Sequence, residues 1–473
     1  EGDKKVYKLL QQADTVGVFQ LESDGMQRYL KQLKPSEFED IIAMIALYRP
    51  GPMELIPDYI ARKHGKQKTE YLHPKLKPIL ENTHGICIYQ EQLMQIAREL
   101  AGFTLSEADI LRKAVGKKIK ELLEAQEEKM VQGMEKNGID EKIAKKIWEW
   151  MLPFASYGFN RSHSAAYATI SYQTAWLKAN YPVEFMAAVL TSEKADVERI
   201  AVLIEECKKM GIEVLPPDVN ESFMNFGVVP RKNQIRFGLL AIKNVGINAV
   251  EAILEERKAG GPYQSIQDFV TRVISRNLNK KSMESLIRAG VFDSLEERNK
   301  LLNNLEKLLE HARETQKNKG NGQKGLFDGL GGFTSTLALA QATPASYHDK
   351  LTWEKELLGL YVSGHPLKNF QILLQNSCLP IAKASQMTVG KLVKVGGIIS
   401  GIKKIVTKLG KPMLFLKLED ETQHIEVVVF PSVIERNHAL FQENKVVFVS
   451  GRIDARDGTP KIICNEIEEI IEK

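Results

Sequence analysis

The sequence predicts a multidomain α+β protein, and three observations support that prediction. The chain has 473 residues, more than one ordinary hydrophobic core accommodates, so two to four domains are expected. Apolar residues recur with helical spacing up to about residue 210, as in Leu93, Ile96 and Leu100. From about residue 389 the apolar residues alternate instead, which is typical of β-strands in a small closed barrel.

Composition places the chain among globular proteins that fold in water. Hydrophobic residues make up 43% and charged residues 26% of the sequence. The formal net charge of +5 is compatible with a polyanionic partner without requiring one. No apolar segment reaches membrane-spanning length, and the first residues lack a signal-peptide core. We expect a cytoplasmic protein with no membrane partner, and a chain that begins with Glu1 is expected to be a piece of a longer one.

The four cysteines argue against two kinds of site. They are Cys87, Cys207, Cys378 and Cys464, which lie far apart in the sequence and form no CxxC pair. Such spacing argues against a zinc site and against a disulfide framework. It fits a reducing cytosol.

Residues 111–118 form the first segment rich in cations. The preceding residues 104–107, Thr-Leu-Ser-Glu, are a capping-box pattern that predicts a helix start close to Thr104, and Gly116 marks its expected end. Four cations lie within seven residues: Arg112, Lys113, Lys117 and Lys118. A solvated charged face is the usual interpretation of such a run. Phosphate binding at a helix end is the alternative.

A second segment, residues 157–167, combines cations with small polar residues at a predicted helix start. Gly158 breaks the preceding helical pattern. The next helix is expected to begin near Ser162 or Ser164 and to run toward Asn180.

Arg161 and His163 then lie in or beside the first turn of that helix. His163 and Tyr167 are four residues apart, so they share one helix face and can contact the same ligand. A polyphosphate at this end would find N–H donors and positive charge together. The alternative is a surface helix start whose serine and asparagine side chains satisfy unpaired N–H groups.

Arg49 lies in a third segment, residues 48–52, with the sequence Tyr-Arg-Pro-Gly-Pro. Two prolines and a glycine predict a rigid bend, which leaves the arginine little conformational freedom to lose when it binds an anion. The three segments together predict a protein that handles nucleotides or nucleic acid.

Residues 223–238 predict a β-hairpin, with two short strands on either side of residues 230–233. The next segment, 239–257, is typical of a helix-hairpin-helix motif, in which a glycine lets backbone N–H groups approach a DNA phosphate. A weaker second copy is predicted at 278–290. An ordinary helical turn with a glycine cap is the alternative interpretation.

Residues 313–350 lack apolar periodicity and predict a mobile linker. Residues 323–327, Gln-Lys-Gly-Leu-Phe, are one apolar island within it. Such a segment can anchor in an apolar pocket of a partner, because the aromatic ring supplies most of the buried area. The alternative is a linker that docks back on its own protein.

The predicted strands from residue 389 onward, with a short helical insert near 432–440, match a barrel of the oligonucleotide-binding (OB) kind. Such barrels bind single strands through basic and aromatic residues on one face. Few aromatic residues lie between the basic ones here, which are Lys403, Lys404, Lys408, Lys411, Arg452, Arg456 and Lys461.

Several motifs occur in the order found in bacterial replicative DNA polymerase III alpha subunits. They are residues 15–23, 49–52, 89–92, 112–118 and 159–167, the helix-hairpin-helix segment, residues 323–327, 353–356 and 363–367, and the terminal barrel. The chain resembles this family over essentially its whole length, and the C-terminal barrel resembles the DnaE-type branch. The resemblance implies five regions: fingers (1–210), helix-hairpin-helix region (211–300), linker with a clamp-binding peptide (301–350), connecting segment (351–388) and OB-fold (389–473).

The resemblance also implies functional residues. The fingers would close on the incoming deoxynucleoside triphosphate (dNTP), with candidate contacts Arg49, Arg112, Lys113, Lys117, Lys118, Asn160, Arg161, His163 and Tyr167. Candidate DNA contacts are Lys243, Val245, Gly246 and Ile247 for the duplex, and Lys403, Lys404 and Arg452 for single-stranded template. The sliding clamp would bind Gln323, Leu326 and Phe327. Other replicase subunits are further expected partners.

Phosphoryl transfer by two metal ions needs closely placed carboxylates, and the sequence has no such pair on an apolar strand. The resemblance implies Mg²⁺ as cofactor, held by palm aspartates upstream of this chain. The chain alone is therefore predicted to be inactive, although its parent would be a DNA-directed DNA polymerase. The alternative function is a non-catalytic DNA-binding protein that uses only the helix-hairpin-helix motif and the barrel.

Overall fold

The computed structural model describes residues 2–117, 120–155, 158–273, 278–320, 337–364, 366–406, 410–436, 438–455 and 459–470. The chain divides into two compact units. Unit 1 comprises residues 1–213 and 228–235, and unit 2 comprises residues 214–227 and 236–473. Within the described ranges, no helix combines the length and the apolar character needed to cross a membrane.

Unit 1 is built mainly from α-helices. These are α1 (Lys4–Gln12), α2 (Asp24–Leu33), α3 (Phe38–Leu47), α4 (Ile56–Lys63), α5 (Lys77–Leu80), α6 (Gln90–Ala101), α7 (Leu105–Lys117), α8 (Lys120–Lys136), α9 (Glu141–Ala155), α10 (Arg161–Asn180), α11 (Pro182–Ser192) and α12 (Val197–Lys209). Short 3₁₀ helices lie at Pro52–Leu55, Pro74–Leu76 and Glu81–Thr83.

Two hydrophobic cores organise unit 1. The first gathers apolar side chains of α1 to α4 around the face of α10 that carries Ala168, Tyr172 and Ala175. The second is formed mainly by α6 to α9 and buries Ile96 and Trp148. Helical spacing of apolar residues therefore produces the buried faces that the sequence predicts.

A buried ion pair lies at the C-terminal end of α10. The Lys178 side chain is 1% exposed, and its ammonium is 2.7 Å from the Glu206 carboxylate on α12. The same ammonium donates hydrogen bonds of 2.8 Å to the carbonyls of Asp14 and Val16. Burial lowers the pKa of Lys178, while the Glu206 carboxylate acts in the opposite direction. A buried charge is tolerated only when it is paired in this way.

Unit 2 contains further helices that precede the C-terminal barrel in sequence. They are α13 (Ile247–Gly260), α14 (Ile266–Arg272), α15 (Lys280–Arg288), α16 (Arg298–Asn303), α17 (Leu305–Gly320), α18 (Tyr347–Leu358), α19 (Gln371–Ser377) and α20 (Ile381–Ala384). A 3₁₀ helix at Leu239–Ala241 precedes α13, and another lies at Lys368–Phe370.

Arg298 is a buried cation in unit 2. Its guanidinium, 2% exposed, lies 3.0 Å from the Glu354 carboxylate and 2.7 Å from Asp293. The second oxygen of Glu354 accepts hydrogen bonds of 2.9 Å from the backbone N–H groups of Val362 and Ser363. One carboxylate thus joins α16, α18 and the segment that follows α18.

Short strands lie between the two helical regions in sequence. They are β1 (Glu213–Leu215), β2 (Gly227–Val228) and β3 (Gln234–Arg236), in the sheet order β1-β3-β2. The predicted hairpin is confirmed, because β2 and β3 are neighbours and Val229 N–H donates to the Gln234 carbonyl at 2.9 Å. β1 was not predicted, since three residues carry too short a pattern to detect.

The C-terminal strands form a closed barrel. They are β4 (Leu392–Val406), β5 (Pro412–Glu419), β6 (His424–Val429), β7 (Val446–Asp454) and β8 (Lys461–Glu469), in the order β4-β5-β6-β8-β7. Only β6 and β8 pair in parallel among these neighbours. The ladder between β7 and β8 is interrupted at Gly451, where a Cβ would collide with the Ile463 carbonyl. The helical insert is α21 (Pro431–Arg436), followed by a 3₁₀ helix at His438–Leu440.

Some boundaries differ from those expected from sequence. α10 begins at Arg161, earlier than Ser162 or Ser164, because Asn160 caps it by accepting a hydrogen bond from the His163 N–H. α7 continues through Gly116 to Lys117, because a helix tolerates a glycine at a cost of only about 1 kcal/mol.

The linker and the helix-hairpin-helix motif also differ in detail. α17 runs to Gly320 and α18 begins at Tyr347, so helices cover both ends of the predicted 313–350 linker. The first helix of the motif is a 3₁₀ helix rather than an α-helix. The overall class, with a helical N-terminal region and a closed OB-type barrel, is confirmed.

Replacing Glu206 by alanine should strongly destabilise unit 1. The change leaves the buried Lys178 ammonium without its carboxylate, which costs about 3–5 kcal/mol for a buried pair. Urea unfolding followed by tryptophan fluorescence measures the loss. Glu205→Ala, at an exposed position on the same helix, is the control and should change stability by less than about 0.5 kcal/mol. Equal effects of the two variants would contradict a structural role for the pair.

Unit 1 should become less stable as the pH drops below about 6.5, and His84 should account for part of this loss. Burial, and then the nearby Lys63, lower the pKa of His84 in the folded protein, and its buried Nε2 has no hydrogen-bond partner. The unfolded chain therefore takes up the proton first as the pH drops, which favours unfolding. His84→Asn should flatten the dependence of the unfolding free energy on pH between 5 and 7, because asparagine tolerates the positive φ of 51°. A variant that keeps the parent slope would contradict this contribution of His84.

Candidate functional site

The N-termini of α6 and α10 lie side by side. Tyr89 and Phe159 form an isolated parallel bridge. Phe159 N–H donates to the Ile88 carbonyl at 3.1 Å, and Gln90 N–H donates to the Phe159 carbonyl at 2.9 Å. The segment before α6 therefore holds the segment before α10 through backbone hydrogen bonds.

The first turn of α10 is tied by polar side chains. Asn160 Oδ1 accepts a hydrogen bond of 2.9 Å from His163 N–H. The backbone N–H of Arg161 faces both oxygens of Glu91, at 3.1 and 3.0 Å. The Arg161 guanidinium pairs with Glu39 of α3 at 2.6 Å, and this hydrogen bond raises the pKa of Arg161 above its usual value. Both members of the pair are substantially exposed, so a ligand can reach the guanidinium.

A line of rings runs along one face of α10. His163 and Tyr167 are stacked with centroids 4.5 Å apart, and Phe159 meets His163 edge-on at 5.2 Å. Tyr167 in turn lies 5.4 Å from the Phe19 ring. We call Phe159, His163, Tyr167 and Phe19 the ring ladder. The shared helix face predicted for His163 and Tyr167 is confirmed by their contact.

Arg49 lies against the end of the ring ladder. Its guanidinium carbon is 4.1 Å from the centroid of Phe159, a cation–π geometry, and its Nε donates to the Ala46 carbonyl at 3.0 Å. Partial burial lowers the pKa of Arg49, which nevertheless keeps its charge. The following Gly51 has φ +99°, which makes the bend after Arg49 a glycine conformation.

Arg112 reaches the same place from α7. Its guanidinium binds Asp109 of its own helix at 2.7 Å, and Nη1 lies 3.5 Å from Gln90 Oε1. Gln90 Nε2 donates to the Gly158 carbonyl at 3.0 Å. Lys113 also binds Asp109, at 2.7 Å, and these two cations lower the pKa of that carboxyl. The site is therefore a cluster of cations with matched carboxylates.

The structure brings six predicted residues into this cluster: Arg49, Arg112, Asn160, Arg161, His163 and Tyr167. Lys113 is more exposed and faces Asp109. The side chain of Lys117 and all of Lys118 lie outside the described residues.

Sequence reasoning missed several members of the cluster. No sequence pattern predicts that Glu39 and Glu91 contact Arg161, since they lie 122 and 70 residues from it. Asp109 is different, because its spacing of three and four residues from Arg112 and Lys113 indicates helical ion pairs. Gln90, Glu91 and Phe159 lie in the family motifs 89–92 and 159–167, which indicate no contact partner for them.

The turn before α13 is held against α15. Lys243 N–H donates to the Leu357 carbonyl at 3.1 Å, and Ser282 Oγ donates to the Asn244 carbonyl at 3.0 Å. Gly246 caps α13, and the next side chain, Ile247, is 49% exposed. The Val245 side chain is buried, so the predicted contact of this residue with DNA is limited to its backbone.

The remaining predicted residues lie in the barrel and the linker. Lys403 and Lys404 are exposed on β4, and Arg452 is exposed on β7. Gln323, Leu326 and Phe327 lie outside the described residues. Across the described ranges, no group of three or more His, Cys, Asp or Glu side chains is arranged to hold a metal ion.

Replacing Phe159 should show how much its contact with Arg49 contributes to the free energy of unfolding. Phe159→Leu keeps most of the apolar volume but removes the ring, so it should cost about 0.5–1 kcal/mol of unfolding free energy, the usual size of a cation–π contact. Phe159→Ala also removes packing and should cost about 2 kcal/mol. Urea titration followed by tryptophan fluorescence measures both. A leucine variant as stable as the parent would contradict a contribution from the ring.

Three segments of the chain match known domain families. Residues 1–138 match the bacterial DNA polymerase III alpha subunit finger domain. Residues 211–302 match a helix-hairpin-helix motif, and residues 393–470 match an OB-fold nucleic acid binding domain. The three matches follow the order of the predicted regions.

Curated relatives match nearly the whole chain. The DNA polymerase III subunit alpha of Aquifex aeolicus (strain VF5) is 43% identical over 454 residues, covering 96% of this chain and 38% of the relative. That of Thermus aquaticus is 43% identical over 461 residues, covering 96% and 37%. That of Escherichia coli (strain K12) is 39% identical over 484 residues, covering 99% and 42%. The chain thus spans about two fifths of the length of these relatives, and it belongs to the bacterial DNA polymerase III alpha-subunit family.

Proposed function

We propose that this chain is the part of a DNA-directed DNA polymerase that binds the incoming dNTP, the DNA and the sliding clamp. The observation that carries the proposal is the convergence of Arg49, Arg112, Arg161 and His163 at the N-terminal end of α10. These groups come from three separate stretches of sequence. The names of the relatives, each a DNA polymerase III subunit alpha, support it further.

The cluster has the chemistry that a triphosphate requires. Guanidinium groups form paired hydrogen bonds with phosphate oxygens, and the N-terminal end of a long helix adds a partial positive charge. The ion pairs of Arg161 with Glu39 and of Arg112 with Asp109 are partly exposed. Such pairs contribute about 0–1 kcal/mol, so a triphosphate with more negative charge can displace the carboxylates.

The ring ladder supplies the apolar part of the site. Stacked His163 and Tyr167 offer a surface on which a sugar or base can pack. Phe159 holds Arg49 beside them, which limits the side-chain freedom lost on binding. In this proposal the chain binds and orients the nucleotide.

Bond formation needs other residues. Polymerases hold two metal ions between carboxylates, and the described residues do not offer such a group. In this proposal, as the resemblance to the family implies, Mg²⁺ would activate the primer hydroxyl and neutralise the phosphates while held by palm aspartates outside this chain. The isolated chain should not extend a primer.

Unit 2 would hold DNA and the clamp. The capped turn at Gly246, with Lys243 and the exposed Ile247 beside it, suits a sequence-independent contact with duplex phosphates. Lys403, Lys404 and Arg452 give the barrel exposed positive charge for single-stranded template. Residues 323–327 would bind the clamp, and other replicase subunits would complete the assembly.

A second candidate function is a DNA-binding protein without a nucleotide site. The carboxylates already paired with Arg112, Lys113 and Arg161 favour it, because they give those cations a structural role. The two candidates differ in whether a dNTP binds to unit 1.

Arg161→Ala should separate the two candidates. A palm-containing polypeptide of the family, supplied in trans with primer–template and Mg²⁺, should restore extension to the parent chain. The variant should lower dNTP affinity and extension about tenfold, because one charge-assisted hydrogen bond contributes about 1.5–3 kcal/mol. Arg98→Ala, at an exposed arginine on α6, should match the parent.

DNA affinity, measured by fluorescence anisotropy over a series of salt concentrations, should be unchanged in the Arg161 variant. Failure of any dNTP to bind the parent, together with salt-sensitive DNA binding, would favour the second candidate.

A further inference from the structure

Gln90 contacts both elements that carry the proposed phosphate ligands. We infer that it is a positioning residue, which sets the distance between Arg112 on α7 and the first turn of α10. The inference rests on the proposed nucleotide site and concerns how that site recognises the length of the phosphate chain.

Three hydrogen bonds from Gln90 define this role. Its backbone N–H donates to the Phe159 carbonyl at 2.9 Å, and its Nε2 donates to the Gly158 carbonyl at 3.0 Å. Its Oε1 faces Arg112 Nη1 at 3.5 Å. The side-chain nitrogen of Gln90 thus contacts the loop before α10, and the side-chain oxygen contacts the guanidinium from α7.

The ion pair of Arg112 with Asp109 does not connect Arg112 to α10. Asp109 binds the same guanidinium at 2.7 Å, but it lies on α7 three residues away. That pair orients Arg112 relative to its own helix only. The contact with Gln90 is the one that relates Arg112 to the Gly158 carbonyl.

The chemistry requires an amide at this position. The Gly158 carbonyl needs a donor, and the Arg112 guanidinium needs an acceptor. A glutamate could accept from Arg112 but could not donate to Gly158. Because Gln90 is the first residue of α6, a carboxylate there also suits the helix N-terminus, so Gln90→Glu should fold.

A fixed distance matters most for a ligand that spans it. A triphosphate can reach Arg112 and the first turn of α10 together, whereas a diphosphate is shorter by one phosphate group. Losing the Gln90 amide should therefore lower the affinity for the triphosphate more than the affinity for the diphosphate. A change that only destabilises the fold would lower the affinities for the triphosphate and the diphosphate equally.

The test compares dATP with dADP on the full chain, by isothermal titration calorimetry at fixed pH and salt. The parent and the Gln90→Glu, Gln90→Met, Arg112→Ala and double Gln90→Met/Arg112→Ala variants are measured. Gln95→Met, at an exposed glutamine on the same helix, is the matched control. Thermal unfolding by circular dichroism checks that each variant folds.

We expect both Gln90 variants to reduce the preference for dATP over dADP about fivefold, in line with one hydrogen bond. The control should keep the parent preference. Gln90→Met should add little to Arg112→Ala, because Gln90 acts through that arginine.

Equal losses for both nucleotides, or additive effects in the double variant, would overturn the positioning role while the proposed site stands. Absence of dATP binding by the parent, or binding that Arg112→Ala leaves intact, would remove the proposed contact of Arg112 and the inference with it.

Discussion

The buried polar side chains of α10 are the constraint on which unit 1 depends. Ser164 Oγ donates to the Ile42 carbonyl at 2.6 Å, and the Lys178 ammonium is shared among two carbonyls and the Glu206 carboxylate. Each group is buried, so each would cost free energy if it lost its partner. Apolar packing alone tolerates small shifts of a helix, whereas these directional bonds fix both the rotation and the axial position of α10.

A fixed α10 gives the candidate site its geometry. The first turn is placed beside the start of α6, where Glu91 faces the Arg161 N–H and Gln90 faces the Gly158 carbonyl. The ring ladder follows the same helix, because residues four apart share one face. Arg49 from the bend after α3, Arg112 from α7 and Arg161 from α10 then lie around these helix ends. The carboxylates of Asp109 and Glu39, which pair with Arg112 and Arg161, reduce repulsion among the cations, and both ion pairs are partly exposed.

Unit 2 relies on the same principle in a different form. The Arg298 guanidinium is satisfied by Asp293 and Glu354, and Glu354 also accepts two backbone N–H groups. The barrel satisfies its backbone by closure, since the β4 and β7 strands pair and leave no open sheet edge. Both arrangements give hydrogen-bond partners to polar groups that would otherwise be unpaired.

The sequence by itself determined the helical and barrel regions, the capping box before α7, the hairpin and the family resemblance. Local signals suffice for these features: Thr104 and Glu107 form their capping box within four residues, and alternation of buried and less buried residues marks barrel strands such as β7. It also indicated the cations of the candidate site, because Arg112 and Lys113 belong to a basic run and Arg49 and Arg161 lie beside proline, glycine or small polar residues. Only the tertiary structure decided that Glu39 and Glu91 meet Arg161 and that Gln90 lies between Arg112 and Gly158. Those contacts join residues that are 22 to 122 positions apart. No periodicity encodes such pairings, since they arise from the way whole helices pack.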